Sequence, residues 1–479
     1  MYTFIASILL LFVGYYFYGR YVERTFGISK ERKTPAYTQQ DGVDFLPLSK
    51  TKNALIQLLN IAGIGPIFGP IMGALYGPVA FVWIVIGAIF AGAVHDYLIG
   101  MISIRENGAH LPQLAGKYLG KIMKHMVNLF AMLLLLLVGT VFVISPAHLL
   151  ANLLDHQSAL TAIILLIFGY YILATILPID KIIGRFYPAF GLLLMISTVG
   201  IGIGIFVNHV QIPELTLENM HPRGLAVFPL LFLTISCGAL SGFHATQSPI
   251  ISRTTQTEVH GRRIFYGMMI GEAVIAMIWA GAAMGIFDGV SLQQIIQQQG
   301  AAEVVSIVSK KMLGAGLGSL AVIGIIALPI TSGDTAFRSL RMIIADYLNI
   351  DQKKLVYRIL IVLPLFVIAY FLVYIDFSVL WRYFSWANQL TAMVALWTSA
   401  MYLLLQERNY WIAKIPALFI SMVCVTYILN APIGFGLDLT TSTIASSFIV
   451  LAMSFFFYRS ALRQKRAPSA RIAGSSLGD

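Results

Sequence analysis

Charged residues are scarce. They form 11% of the 479-residue chain, while hydrophobic residues form 58%; an average soluble protein carries about 25% charged residues. So little charge cannot clothe a soluble globular surface, and the composition is that of a polytopic membrane protein. Cysteine is almost absent. Cys237 and Cys424 stand far apart with no CxxC or Cys/His spacing, so neither a disulfide framework nor a zinc site is expected. No Walker A sequence is present, which argues against ATP-driven transport by this chain alone. No nucleophile elbow accompanies the Ser/His pair of Ser241-Gly-Phe-His244, and no soluble signalling stretch is found. The chain is therefore not expected to be an enzyme, and no cofactor is expected. The net charge of +11 does not mark a nucleic-acid binder either, because the basic residues are scattered between apolar segments. A cleavable leader is not expected: the first apolar segment, 2–18, lacks a basic flank before it and runs into Gly19-Arg20.

What the sequence has is long apolar runs. A membrane span needs about 20 mainly apolar residues. Thirteen candidates are read at 2–18, 53–75, 79–102, 126–149, 159–178, 187–207, 226–249, 264–287, 314–333, 356–374, 380–405, 411–429 and 440–458. With the amino terminus outside and the carboxyl terminus inside, only Arg223, Lys310, Lys311 and Arg382 of the 32 basic residues fall outside, as the positive-inside rule asks. The loop 288–313 is expected to form an external amphipathic helix and the tail 459–479 to be a disordered basic segment.

Two of these spans are interrupted. Asn60-Ile-Ala-Gly-Ile-Gly-Pro-Ile-Phe-Gly-Pro70 holds three glycines and two prolines, which weaken a helix and remove backbone donors. Ser236-Cys-Gly-Ala-Leu-Ser-Gly-Phe-His-Ala-Thr-Gln-Ser-Pro249 has the same character in the seventh span. Freed backbone groups cost several kcal/mol each in hydrocarbon, so such breaks persist where they line a site. Two of them at matching places in two halves point to a transporter's binding site. The bland reading is a pair of packing glycines and proline kinks. The topology gives an all-α polytopic membrane protein of about thirteen transmembrane helices. It is a five-plus-five inverted repeat with a discontinuous first helix in each repeat. An extra helix covers 1–22, the repeats 53–207 and 226–405, and two further helices 411–458, before the tail.

Six phrases in order carry a resemblance. They are Asp41-Gly-Val-Asp-Phe-Leu-Pro47, the Gly63–Pro70 break, Ile89-Phe-Ala-Gly-Ala-Val-His-Asp96, Ser241-Gly-Phe-His244, Asp334-Thr-Ala-Phe-Arg338 and Ala387-Asn-Gln-Leu390. Together they resemble the carbon starvation protein A (CstA) family of bacterial inner-membrane transporters, over roughly residues 1–405, with the chain similar to a short-branch member. The resemblance implies an amino acid–polyamine–cation (LeuT-like) fold and uptake of small peptides or, in some members, proton-coupled uptake of pyruvate. The chain departs from the longer members at His95 and at Ser332-Gly333, two polar intramembrane places that bear on substrate and coupling ion.

Ionisable residues inside spans are costly and are functional candidates. His95, Asp96, Glu272 and Asp334 are read as proton-coupling candidates; the structural rivals are pairing of Asp96 with Arg105 or Arg338 and of Asp334 with Arg338. His148 is read as interfacial. Carbonyls around Ala62–Gly65 with the hydroxyls of Thr331, Ser332 and Thr335 offer the oxygen chemistry of a sodium site; the rival is helix packing by small hydroxyls. For substrate, Gly63, Gly65, Phe68 and Gly69 lie at the first break, where N–H groups of Ile67–Gly69 are expected to face the midplane and meet a carboxylate. Ser241, Phe243, His244 and Gln247 lie at the second. Asn388 and Gln389 either line the cavity or bond between helices. The expected function is cation-coupled symport of small carboxylate nutrients, with H+ or Na+ as coupling ion. The alternatives are a channel, or an intramembrane enzyme or sensor. The expected partners are a small molecule and the bilayer, with no nucleic acid.

Overall fold

The computed structural model describes residues 1–466 apart from 155, 177, 178, 217, 353, 376 and 433; for 157, 175, 176, 179–191, 194, 327, 328, 331, 377 and 378 it describes the backbone alone. The tail expected to be disordered is helical as far as Arg466, and its end, 467–479, lies outside the described residues. The architecture is all-helical, as the apolar runs require. The described residues hold no strand, and a single isolated bridge pairs Leu48 with Thr255.

In chain order the main helices are α1 (Tyr2–Phe26), the pair α2 (Lys50–Ile61) and α3 (Gly65–Gly73), α4 (Val79–Arg105), the short α5 (Leu111–Leu119), α6 (Lys121–Leu153), α7 (Leu160–Ile176) and α8 (Ile179–Val207). The second half follows with the pair α9 (Val227–Thr234) and α10 (Gly242–Ser252), α11 (Glu258–Ile286), α12 (Gly289–Gln299), α13 (Ala301–Leu348), α14 (Leu355–Leu372) and α15 (Phe377–Leu405). Two more, α16 (Trp411–Asn430) and α17 (Leu439–Arg466), close the chain.

Helix occupies each of the thirteen apolar intervals. Eight of the described helices are long and apolar enough to cross a membrane alone, and α2 with α3, bent by 48°, makes a ninth. The bend falls at the Gly/Pro-rich stretch. Between α9 and α10 the helix is likewise lost, across 235–241. The two halves thus share the order broken helix, then four further long helices, the fold class expected of an inverted repeat. A second correspondence was not visible in sequence: each helix after a broken one contains a π-helical turn, Gly87–Gly92 in α4 and Arg262–Tyr266 in α11. Such turns recur at functional sites.

The 288–313 stretch is helical but not one helix. Asp288 caps α12 by accepting from the N–H groups of Val290 and Ser291 at 3.0 Å, and a new helix starts at Ala301. Gly314, at φ 77°, breaks α13. A Cβ on Gly318 would lie 2.6 Å from the Lys310 Cα, whereas eight residues of straight helix span about 12 Å. The chain therefore folds back at Gly314, and the span proper runs on from there.

Burial is inverted relative to a soluble protein. Leu166, Phe448 and Phe371 are open on the outer surface, while Asn53, Gln57, Asn60, Asp96, Glu272 and Arg338 are fully buried. Helices α1, α14 and α17 present mostly apolar open surface, and α4, α6 and α11 form the centre.

One ion pair ties the ends of several helices together. Buried Glu258 accepts from Arg105 Nε at 3.0 Å and Nη2 at 2.9 Å, and from the Ser29 N–H at 2.8 Å, with Arg32 at 3.4 Å. Arg105 also donates to Gly27 O and the Tyr402 hydroxyl. Removing one partner of a buried pair strands the other charge, at roughly 3–5 kcal/mol. Glu258→Leu is therefore expected to lower the thermal unfolding temperature of the purified protein sharply. The double variant with Arg105→Leu should lose less than the sum of the two single variants.

Candidate functional site

The two breaks touch each other. A Cβ on Gly65 would lie 2.6 Å from Cys237 Cβ and closer still to its Sγ, so only glycine lets α3 lie here. Gly69, a turn further along α3, meets the same constraint, since a Cβ there would stand 2.9 Å from Thr234 O. At the first break the chain leaves helix at Ala62, Gly63 donates to Ile61 O at 2.9 Å, and Pro66 lies in the first turn of α3, where proline's fixed φ suits a helix start. The sequence expectation of free N–H groups at Ile67–Gly69 is corrected here. Ile67 and Phe68 both donate to Ile64 O, at 3.1 and 2.8 Å, because a helix opening on Ile64-Gly-Pro closes its first turn on itself.

The second break is held by side chains from three other helices. Trp83 Nε1 donates to Ile235 O at 2.8 Å. Gln389 Nε2 donates to Phe232 O at 2.9 Å and Leu240 O at 3.3 Å. Asn388 Oδ1 accepts from the Ser241 hydroxyl at 3.1 Å and the Phe243 N–H at 2.7 Å, capping α10. Glu272 Oε1 accepts from the Gly238 N–H at 3.2 Å, where Gly238 takes φ +87°. Asn388 and Gln389 thus bond between helices, while Asn388 Nδ2 and Gln389 Oε1 stay buried with no protein partner.

Four of the ionisable candidates converge. His95 Nδ1 meets Asp96 Oδ1 at 2.7 Å, Asp96 Oδ2 meets His244 Nδ1 at 2.9 Å, and His244 Nε2 lies 3.4 Å from Glu272 Oε2. All four are fully buried. His95, Asp96 and Glu272 lie on α4 and α11 just past the π-helical turns, and His244 lies on the first turn of α10. The rival pairing of Asp96 with an arginine is set aside, since Arg105 is held by Glu258 and Asp96 by two imidazoles. Asp334 is placed apart, accepting from the Tyr170 hydroxyl at 2.8 Å. Cys237, His244 and Glu272 each offer a donor atom within 4.8 Å of the others, a candidate metal donor set. Its members already bond to Ser241, Asp96 and Gly238.

The oxygen-rich candidates divide. Ser332 donates to Leu59 O at 2.9 Å, and its hydroxyl lies beside Gly63. Thr335 donates to Ser332 O. The Thr331 side chain lies outside the described residues. Phe243 packs edge-on to Phe142, which also covers Gly63.

A cavity of about 580 Å³ opens beside the first break, lined by Phe68, Ser145, His148 and residues 299–303 among others. The loop carrying Asp44 and Phe45 lines a second cavity, of about 460 Å³, and packs on buried arginines. Asp44 lies 3.9 Å from Arg338 and 3.8 Å from Arg341, Phe45 lies under Arg253, and Leu48 donates to Thr254 O. Burial pushes the Asp44 carboxyl up, but Arg341, Arg338, Arg253 and Arg358 outweigh it and hold it below its ordinary value. The Asp41–Pro47 phrase was visible in sequence; its place on these arginines was not.

The sequence reading missed Gln57 and Asn60. Both are fully buried, and neither amide atom of either finds a protein partner. Asn60 opened the first break phrase and Gln57 lies one turn before it, so polar residues on an otherwise apolar half-helix were the available signal.

The sequence profile of the family described as Carbon starvation protein CstA matches residues 1–153 and 143–310. The chain belongs to this family. It is 47% identical over 340 residues to an uncharacterized membrane protein of Haemophilus influenzae, covering 60% of this chain and 92% of that one. The peptide transporter CstA of Campylobacter jejuni is 26% identical over 348 residues (58% of this chain, 49% of the relative). The pyruvate/proton symporter BtsT of Escherichia coli is 28% identical over 352 residues (60% and 49%). This family member therefore spans about half the length of those two named relatives. Among solved structures it is similar to the Eremococcus coleocola manganese transporter in complex with an aromatic bis-isothiourea substituted compound. The TM-score is 0.55 at 14% identity, over 89% of this chain and 99% of that one. That likeness concerns fold alone.

The contact between the breaks makes a direct prediction. Gly65→Ala overpacks it, which costs roughly 1–3 kcal/mol, and should both lower thermal stability and weaken ligand binding. Adding Cys237→Gly removes the clashing side chain and should restore much of the stability. No stability loss in Gly65→Ala would mean that the two breaks do not pack as described.

Proposed function

We propose that the chain is a secondary carrier that imports small carboxylate-bearing nutrients by alternating access across a bacterial inner membrane, with its amino terminus outside. The observation that carries this reading is the pair of broken helices in contact, one of them beside a cavity of about 580 Å³. A carrier needs a site reached from one side at a time, and unwound helices at mid-bundle are how such folds build it. A continuous polar path, which a channel requires, is at odds with Phe68 and the packed Gly65–Cys237 contact. The names of the relatives, peptide transporter and pyruvate/proton symporter, support a carrier over an enzyme.

The coupling ion is read as a proton, held on the His95–Asp96–His244–Glu272 network. Glu272 suits the role because its two oxygens face different partners, the Gly238 N–H of the break and His244. Its charge and the shape of the break are therefore linked. Sodium is the second reading, favoured by Ser332 lying against Leu59 O and Gly63.

Purified protein in liposomes, offered labelled pyruvate and labelled dialanine under imposed proton and sodium gradients in turn, tests both. Accumulation of one substrate is expected under one gradient, lost when that gradient is collapsed. In Glu272→Gln, gradient-driven accumulation is expected to vanish while equilibrium binding persists. Unchanged accumulation in that variant would remove Glu272 from the coupling path.

A further inference from the structure

Two atoms at the second break are aimed at each other without bonding. His244 Nε2 and Glu272 Oε2 are fully buried, and neither finds a hydrogen-bond partner. They stand 3.4 Å apart, whereas a hydrogen bond to nitrogen is usually about 2.7–3.2 Å long. Unmatched buried polar atoms are costly, and here both point into the same place. Cys237 completes the set, since a donor atom from each of the three residues lies within 4.8 Å of the others.

The spacing is that of a coordination sphere. Zinc binds imidazole nitrogen at about 2.0–2.1 Å and carboxylate oxygen at about 2.0–2.2 Å, so two such ligands at a tetrahedral angle stand about 3.3–3.5 Å apart. The 3.4 Å between Nε2 and Oε2 falls in that interval. A sulfur ligand at about 2.3 Å from the ion stands about 3.5–3.7 Å from each of the other two. Those edges lie within the 4.8 Å that bounds the set, so a small shift of the cysteine side chain closes the sphere. The positions 237, 244 and 272 match no local spacing for a metal site, and the fold alone brings them together.

The far side of each ligand is already held. His244 Nδ1 lies 2.9 Å from Asp96 Oδ2, which keeps a proton on Nδ1 and turns the Nε2 lone pair toward the set. A metal-bound histidine almost always gives its other ring nitrogen to such a partner. Asp96 is fixed in turn by His95 at 2.7 Å. Glu272 Oε1 accepts from the Gly238 N–H at 3.2 Å, leaving Oε2 to the set. Cys237 Sγ donates to the Ser241 hydroxyl at a long 3.5 Å, a weak bond given up with its proton. Charge balances as well: one thiolate and one carboxylate, with a neutral imidazole, cancel a divalent ion, so a fully buried complex carries no net charge. The thiolate selects among such ions, favouring zinc, whereas manganese suits oxygen-rich sites.

We infer that Cys237 Sγ, His244 Nε2 and Glu272 Oε2 form a binding site for zinc, with water as the fourth ligand. Binding makes a metal–sulfur bond, and the Sγ proton, with any proton on Nε2, passes to water. The three ligands come from the second break, α10 and α11, so the ion ties the break to both helices. Gly65 packs against Cys237, so the ion enters when the two breaks part. Zinc is here a bound ion and not a cargo, and the site does not rest on the carrier reading.

The test is equilibrium binding of Zn2+ and Co2+ to the purified full-length protein, free of any affinity tag, with thermal unfolding measured in parallel. A single zinc ion per chain is expected to bind and to raise the unfolding temperature. Cobalt at the same site should give the near-ultraviolet band of a cobalt–thiolate bond, which zinc then removes. The chain has only two cysteines, so in Cys424→Ser the band can come only from Cys237, and it is expected to persist there. Cys237→Ser should lose the band and the zinc-dependent rise in unfolding temperature. Its zinc affinity should fall by about a hundredfold or more, at or beyond the usual worth of an outer partner. If Cys237→Ser proves unfolded in metal-free buffer, the band in Cys424→Ser decides alone. No stoichiometric zinc binding to the wild type, no thiolate band in Cys424→Ser, or a band that survives in Cys237→Ser would each overturn the site. Manganese bound as tightly as zinc would overturn the choice of metal.

Discussion

Unwound backbone inside a bilayer has to find its hydrogen bonds within the protein, and this structure is arranged around meeting that demand at two places. Each unmet N–H or C=O costs several kcal/mol in hydrocarbon. The second break alone frees carbonyls at Phe232, Ile235 and Leu240 and N–H groups at Gly238 and Phe243. Trp83, Gln389, Glu272 and Asn388 answer them, from three helices that are distant in sequence. The first break meets its demand more locally, through Ile61 and Ile64 carbonyls, and then needs glycine at positions 65 and 69 so that the second break can lie against it. Neither break is self-sufficient. The second draws Trp83 from the first half and Glu272, Asn388 and Gln389 from its own, while Ser332 of the second half bonds to Leu59 O just before the first break.

The buried charges follow the same logic. Two carboxylates and two imidazoles in a fully buried chain would be prohibitive as isolated ions. Asp96 lies between His95 and His244, and Glu272 between His244 and the Gly238 N–H. The network is therefore continuous with the backbone of the second break. A change in charge on Glu272 alters the acceptor that holds Gly238 in its left-handed conformation. In this way an electrostatic event and a backbone geometry share one hydrogen bond.

The sequence made the fold class legible because its signals are strong in a membrane protein: apolar length, placement of basic residues, and glycine and proline inside apolar runs. His95, Asp96, His244 and Glu272 were legible as candidates for a related reason, since ionisable residues inside spans stand out against an apolar background. Their grouping could be guessed from topology but not their partners. Asp96 was as easily paired with Arg105, and only the three-dimensional structure shows Arg105 on Glu258. The fold-back at Gly314 was hidden because a glycine at positive φ looks like any other glycine in sequence. The π-helical turns leave no sequence mark either. Gln57 and Asn60 passed unnoticed because an uncharged amide is inconspicuous in a sequence; it becomes informative only once both of its atoms are seen buried and unmatched.

Two of the cavities are bounded by different chemistry. At the first break the 580 Å³ cavity is lined by the apolar side chain of Phe68. Beside the 460 Å³ cavity, the Asp44–Phe45 loop lies among Arg253, Arg338 and Arg341, and Leu48 is bonded to Thr254. That loop leads directly into α2, the half-helix that carries Asn53, Gln57 and Asn60. Swinging α2 away from α10 would therefore pull Asp44 off its arginines and break the Asn53 bonds to Ile251 and Thr255 in one movement. The Asp44–arginine separations of 3.8–3.9 Å exceed hydrogen-bond length, so the charges attract without being locked by directional bonds.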